Sequence, residues 1–345
     1  MQCTKKILKD IEKCYAVSAM DIGGDTYLFF AGEGNGSVRA FHGKDFSECE
    51  LIWEGGGGTM SIVPLGQESL LISRGFYSMV EAGGSTIEMV RFNSGAFTHE
   101  PVASLSYLHR FGVLASPCGR KYVLAATIAD YKENKDDWSH PGHLYGAVLP
   151  DGLDAPFTLN FERLPGDYHI NHGFCTGTRC GRDTGYVSSR EGVFAVTPPE
   201  KPGCGWVIEQ LMDRPVSDIA VCDIDGDGEN EIAAILPFHG NEFKVFKRVG
   251  TDYEEIFSYP VENDFYHTVI SAELKGEKVF IGGARQKRAN LFVLRLNAGT
   301  GAFETWELDA GAGPSNAYML NNGTQDILLS ANRMVAQAAI YVFDS

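Results

Sequence analysis

The chain has 345 residues, 40 of them glycine, 21 phenylalanine and 14 tyrosine, and a formal net charge of −16. With no clustered basic stretch to offset it, that charge excludes nucleic acid and anionic membrane surfaces as general partners. Many glycines and aromatics without a long amphipathic helical stretch point to an all-β chain of short strands and tight turns.

The N-terminal stretch MQCTKKILKDIEKCYAV places charges where a secretory signal would need its apolar core, and no segment reaches membrane-spanning length. The expected location is therefore cytoplasmic. The eight cysteines contain no C-x-x-C pair, which favours reduced thiols over disulfides or a zinc site.

From Tyr15 onward one pattern recurs: an apolar strand, a turn, a second apolar strand, a polar loop, a third strand and a fourth. The units start near Tyr15, Thr59, His109, Asn171, Ser217, Tyr266 and Ser315. A repeat of this size built from strands predicts a β-propeller, a single domain over residues 1–345, in preference to a right-handed β-helix, whose repeats are shorter. The last unit stops after three strands. Residues 4–13 alternate like the fourth strands of the other units and are predicted to complete it, closing a ring of seven four-stranded blades.

The fifth unit carries DIDGDGENE, Asp223 to Glu231, between two apolar β-prone runs. Carboxylates at Asp223, Asp225 and Asp227, the carbonyl of Glu229 and the carboxylate of Glu231 form an oxygen-rich set suited to calcium, and Gly226 and Gly228 let the backbone curl around an ion. The closing acid comes too early for an EF-hand. The stretch resembles the FG-GAP or VCBS repeat of integrin α-subunit and bacterial propellers, whose loop of this form binds calcium between two strands of one blade. The resemblance implies a structural calcium ion in blade five.

Aligning the units places chemically rich residues at two recurrent positions. At the start of the first strand stand Tyr15, Thr59, His109 (beside Arg110), His172, Asp218, His267 and Asn316. Just past the second strand stand Glu33, Arg74, Asp130, Arg190 (beside Glu191), His239, Arg285 and Arg333. In antiparallel neighbours these two positions share one end, so both rings are predicted to converge on one mouth of the channel. Arginines there suit a carboxylate or phosphate. His109, His172, His239 and His267 are candidates either for general-base work or for a second divalent metal. The loop from Ala129 to Gly146 is long enough to act as a lid, with Tyr131, Trp138, His140 and His143 as candidate contacts for a sugar.

No serine–histidine–acid order, phosphate-cradling loop or dinucleotide fingerprint is present, which argues against nucleotide cofactors. More distantly, repeat type and rim histidines make the chain similar to aldos-2-ulose dehydratase and other seven-bladed lyases. That resemblance implies a lyase or isomerase acting on a sugar-derived or anionic small molecule in the central pocket. The competing class is a non-catalytic module that binds carbohydrate or protein through the same mouth.

Overall fold

The computed structural model describes residues 2–344. Seven antiparallel sheets of four strands follow one another around a ring, the seven-bladed propeller expected from the repeat. Among the described residues there is no α-helix, only single 3₁₀ turns at Lys44–Phe46 and Arg333–Val335. No helix is long and apolar enough to cross a membrane.

The innermost strands are Cys14–Ile22, Ile62–Gly66, Leu108–Ala115, Gly173–Arg179, Asp218–Cys222, Asn263–Leu274 and Pro314–Asn321. They line the axis. The second strands are apolar on both faces because each blade is sandwiched between two others: Leu28–Ala31, Leu70–Ile72 and Ile232–Ile235 are wholly buried. Burying each such large side chain contributes roughly 1.5–3 kcal/mol, which makes the blade-to-blade interfaces the main source of cohesion.

The N-terminal strand Cys3–Asp10 closes the last blade, as the alternation of its residues predicted. It pairs antiparallel with Gln337–Phe343, running from Cys3 opposite Phe343 to Asp10 opposite Gln337. Ile11, 3% exposed, plugs the seam between the last blade and the first, and its N–H donates to the Ala336 carbonyl at 2.7 Å.

Blade three departs from regularity. Its outer strand is only Glu162–Arg163, because Leu153 and Leu159 on the preceding segment turn inward to fill the core between blades two and three, and the Leu159 N–H donates to the Val102 carbonyl. All eight cysteines are free.

A buried imidazole layer as the candidate functional site

Register shifts mark the inner strands between Cys14 and Ala16, Leu108 and Arg110, Tyr266 and Thr268, and Pro314 and Ala317. A bulge inserts one residue and re-aims its side chain. The residues released in this way are Tyr15, His109, His267 and the pair Ser315–Asn316. His172 joins them by a different route. Gly173 after it has no room for a side chain, since a Cβ would overlap Ser188 Oγ and lie 2.6 Å from the Asp218 Cα, so blades four and five approach closely there.

The result is a polar layer across the channel. His109, His172 and His267 are each at most 2% exposed, and each directs Nδ1 at a carbonyl of the next blade: His109 to His172 O at 3.1 Å, His172 to Ser217 O at 3.1 Å and His267 to Ser315 O at 2.7 Å. Because a carbonyl only accepts, Nδ1 carries the proton in all three, and each Nε2 presents a lone pair. Burial holds all three well below the usual imidazole range, helped by Arg110 for His109, by neighbouring imidazoles for His172 and by Arg285 for His267. They are neutral bases.

His239 enters from the turn after the second strand of blade five. Its Nε2 lies 3.3 Å from Nε2 of His172, and its ring is stacked between Phe238, 3.9 Å away, and Phe265, 4.2 Å away. His239 and Phe265 both have left-handed backbone conformations, with φ of 48° and 56°. Such strain in non-glycine residues concentrates at functional sites. Burial and Arg285 push His239 down to about 3.

Tyr15 and two arginines complete the layer. The Tyr15 hydroxyl is 3.4 Å from His267 Nε2 and accepts from Arg110 at 3.3 Å, while Arg110 also donates to Asn316 Oδ1 at 3.2 Å and to the Met60 carbonyl at 2.6 Å. Arg285, 9% exposed, donates to Ser315 Oγ at 2.8 Å and faces the rings of Tyr15 and Phe265, yet its Nε is buried with no partner. Asp218 sits 3.9 Å from His172 Nδ1, and burial pushes its carboxyl up to about 7 against the opposing pull of Arg110.

The other sequence candidates have separate engagements. Arg333 is paired with Glu33, both part-buried. Arg74 donates to the Gly56 carbonyl and lies over Trp53, and Arg190 is exposed beside the His169–Glu191 pair. His143 is buried between Asp130 at 2.7 Å and Asp167 at 3.4 Å, which ties down the base of the long loop. Tyr131 and His140 pack edge-to-face on each other at its exposed tip.

Trp138 from the same loop reaches the layer's rim. Its ring meets Phe238 edge-on at 5.2 Å, and the buried Lys132 ammonium lies 3.1 Å above its centre while donating to the Asp137 carbonyl. Replacing Trp138 by alanine is expected to loosen this loop and leave the propeller intact. The check is hydrogen exchange, with protection lost over residues 130–142 and kept in the blades.

A cavity of about 500 Å³ occupies the channel, with Arg110, Asp218 and Asn316 among its lining and Pro64, Glu273 and Asn321 where the inner strands end. Aliphatic side chains such as Val63, Val113 and Ile270 share its walls with those polar residues. The four histidines do not line it.

In the acidic loop of blade five, the carboxylates of Asp223, Asp225 and Asp227 lie within 4.8 Å of one another. The Lys247 ammonium sits among them, bonded to Asp225 and, at 2.6 Å, to Asp227, and 3.4 Å from Glu231. Arg248 lies 3.6 Å from Glu229. Asp223 Oδ1 is nonetheless buried with no hydrogen-bond partner, and Glu231 Oε1 has only the Lys247 ammonium at 3.4 Å, so two oxygens of this set could still receive a cation.

Sequence reasoning passed over Tyr15 and Arg110 as working residues, although Tyr15 stands at the repeat position that singled out the histidines and Arg110 directly follows His109 there. Phe238 and Phe265 gave no signal of their own beyond lying beside or near His239 and His267.

No family model and no curated protein matches the chain. The FG-GAP resemblance thus rests on Asp223–Glu231 and the repeat alone. Among solved structures, TolB from Acinetobacter baumannii is 11% identical over 90% of this chain and 60% of its own, with a TM-score of 0.40. The chain spans about three fifths of that protein's length. A protein from Bacteroides fragilis described as a "putative 6-phosphogluconolactonase" is 12% identical over 89% of this chain and 86% of its own, with a TM-score of 0.56. At such identity the likeness shows the fold.

Proposed function

We propose that the chain is a lyase or isomerase acting on a sugar-derived, anionic small molecule held at the imidazole layer. The observation that carries this reading is the Arg285 guanidinium, nine-tenths buried with an unpartnered Nε, set among neutral imidazoles and a phenol. A buried donor without a partner costs about 1–3 kcal/mol, a cost that a ligand carboxylate or enolate oxygen would remove. The His109 Nε2 lone pair takes the proton next to the carbonyl or carboxyl carbon. Its bonding electrons form the enolate, which Arg285 stabilises. In a lyase the enolate then expels a hydroxyl that leaves with the Tyr15 proton; in an isomerase the proton returns to the neighbouring carbonyl carbon, while the hydroxyl on the carbon that lost it becomes the new carbonyl and its proton passes to the enolate oxygen. Phe238, Phe265 and Trp138 supply apolar faces for a sugar ring. The description of the Bacteroides propeller, a sugar-lactone enzyme by name, agrees with such a ligand as fold-level analogy.

The test is incubation in D₂O with a panel of aldonates, uronates and 2-keto sugar acids, followed by proton NMR. Deuterium should enter next to the carbonyl for one class and fail to enter with His109→Ala. Binding of a panel member without exchange by any would replace this reading with the carbohydrate-binding module.

We also propose that Asp223–Glu231 binds a structural calcium ion, supported by the unpartnered buried Asp223 Oδ1 and by the buried Glu231, which burial raises above the usual carboxylate range. Lys247 would act as a resident counter-charge that calcium displaces. Millimolar calcium is expected to raise the melting temperature by several degrees, since a ligand at 100 times its Kd adds about 2.7 kcal/mol. Asp227→Asn should abolish that rise. Equal melting curves with calcium and with a chelator would remove calcium from the account.

A further inference from the structure

We propose that His172, His239 and His267 form a three-imidazole site for one divalent transition metal ion, separate from the acidic loop. One nitrogen from each lies within 4.8 Å of the other two. Two imidazole nitrogens bound to one tetrahedral ion at about 2.0–2.1 Å stand about 3.3 Å apart. The His172 and His239 Nε2 atoms are already 3.3 Å apart.

Tautomer chemistry supports the assignment. His172 and His267 give their Nδ1 protons to the Ser217 and Ser315 carbonyls, the outer bond that metal-binding histidines make to fix the ring and raise the basicity of Nε2. Two facing Nε2 lone pairs repel unless a proton or a metal lies between them. His239 is placed for either, because its ring is held by Phe238 and Phe265. A metal ligand nitrogen must be unprotonated, and with Nδ1–H given to a carbonyl the Nε2 of His172 and of His267 is free to bind. His109 stays outside the set, its ring tilted against that of His172 with centroids 4.5 Å apart and edge-on to Phe76.

Three nitrogens leave at least one coordination position unfilled, the arrangement of catalytic metal sites. Imidazole donors select zinc, iron, nickel or copper over calcium and magnesium. Arg110 and Arg285 make the surroundings cationic, so an anionic oxygen is the ligand that fits the open position. This last point rests on the function proposed above; the metal itself stands on the histidine geometry.

The experiment is cobalt titration of chelator-stripped full-length protein in excess calcium, which keeps the acidic loop occupied. One equivalent should bind and give visible d–d bands, and His172→Ala and His239→Gln should each weaken binding at least 100-fold with unchanged circular dichroism. If either variant fails to fold, pulsed EPR of the copper-loaded wild type reads the same point through couplings to the remote imidazole nitrogens of three histidines. No bound cobalt in the wild type, bands that survive both substitutions, or the absence of those couplings would each overturn the site. Sugar-acid binding that persists in cobalt-free protein, with no cobalt bound, would refute the metal while leaving the ligand assignment standing. Cobalt binding without response to any sugar acid would do the reverse.

Discussion

Replacing Arg285 by methionine is expected to weaken binding of the anionic ligand by 100-fold or more, while leaving the melting temperature unchanged or raising it. The two halves have one cause. Burial pulls the Arg285 guanidinium down to about 10, and it remains charged at neutral pH with an Nε that nothing in the protein satisfies. Removing a buried charge that is poorly paired relieves desolvation. Removing the charge-assisted bonds that a ligand carboxylate would make costs about 2–5 kcal/mol of affinity. Lysine should not rescue, because an ammonium lacks the planar fork and cannot reach Ser315 Oγ and a ligand oxygen in the same geometry. Calorimetry and thermal melts of the same samples give both numbers. Lost stability with retained ligand affinity would make Arg285 a structural residue.

The second large effect concerns closure of the ring. Deleting residues 2–11 should abolish cooperative unfolding. The deletion removes seven paired positions between Cys3 and Asp10, each backbone bond contributing about 0.5–1.5 kcal/mol net, and it exposes the edge of Gln337–Phe343, whose Ala338–Tyr341 run is buried. Against a typical total stability of roughly 5–15 kcal/mol, that loss is decisive, and the bared edge invites aggregation. The milder Ile11→Ala should keep the fold and cost about 2–4 kcal/mol by leaving a cavity at the seam. Denaturant melts distinguish the two. A truncated chain that still unfolds in one sharp transition would show that the seam is not where the ring is held.

The ring was legible because its signal is redundant: each unit repeats the same strand order, and the missing fourth strand of the last unit left a gap that only residues 4–13 could fill. The recurrence that exposed His109, His172 and His267 worked for the same reason. What sequence periodicity does not encode is local register. The bulges at Tyr15, His109, His267 and Asn316 turn side chains that simple alternation would have placed elsewhere, and they draw Tyr15 and Arg110 into contact across blades one and three. Arg74, Arg190 and Asp130 share a repeat position with His239 and Arg285, yet only the last two are drawn into the layer, Arg285 because its partner Ser315 lies on the inner strand of the next blade. Nor does the pattern disclose that the main channel cavity lies apart from the histidines. Arg110, Asp218 and Asn316 reach its walls, but most of the rest of the lining is Val, Ile, Ala and Ser positions of the inner strands that carry no repeat signal.

The most direct measurement is a crystal structure of the protein with the tightest-binding sugar acid from the panel. The ligand's carboxylate is expected at Arg285 Nε, its ring beneath Phe238 and Trp138, and His109 Nε2 within reach of the carbon that loses its proton. A ligand lodged instead among Val63, Val113 and Ile270 in the channel cavity, with Arg285 Nε still unpartnered, would contradict it.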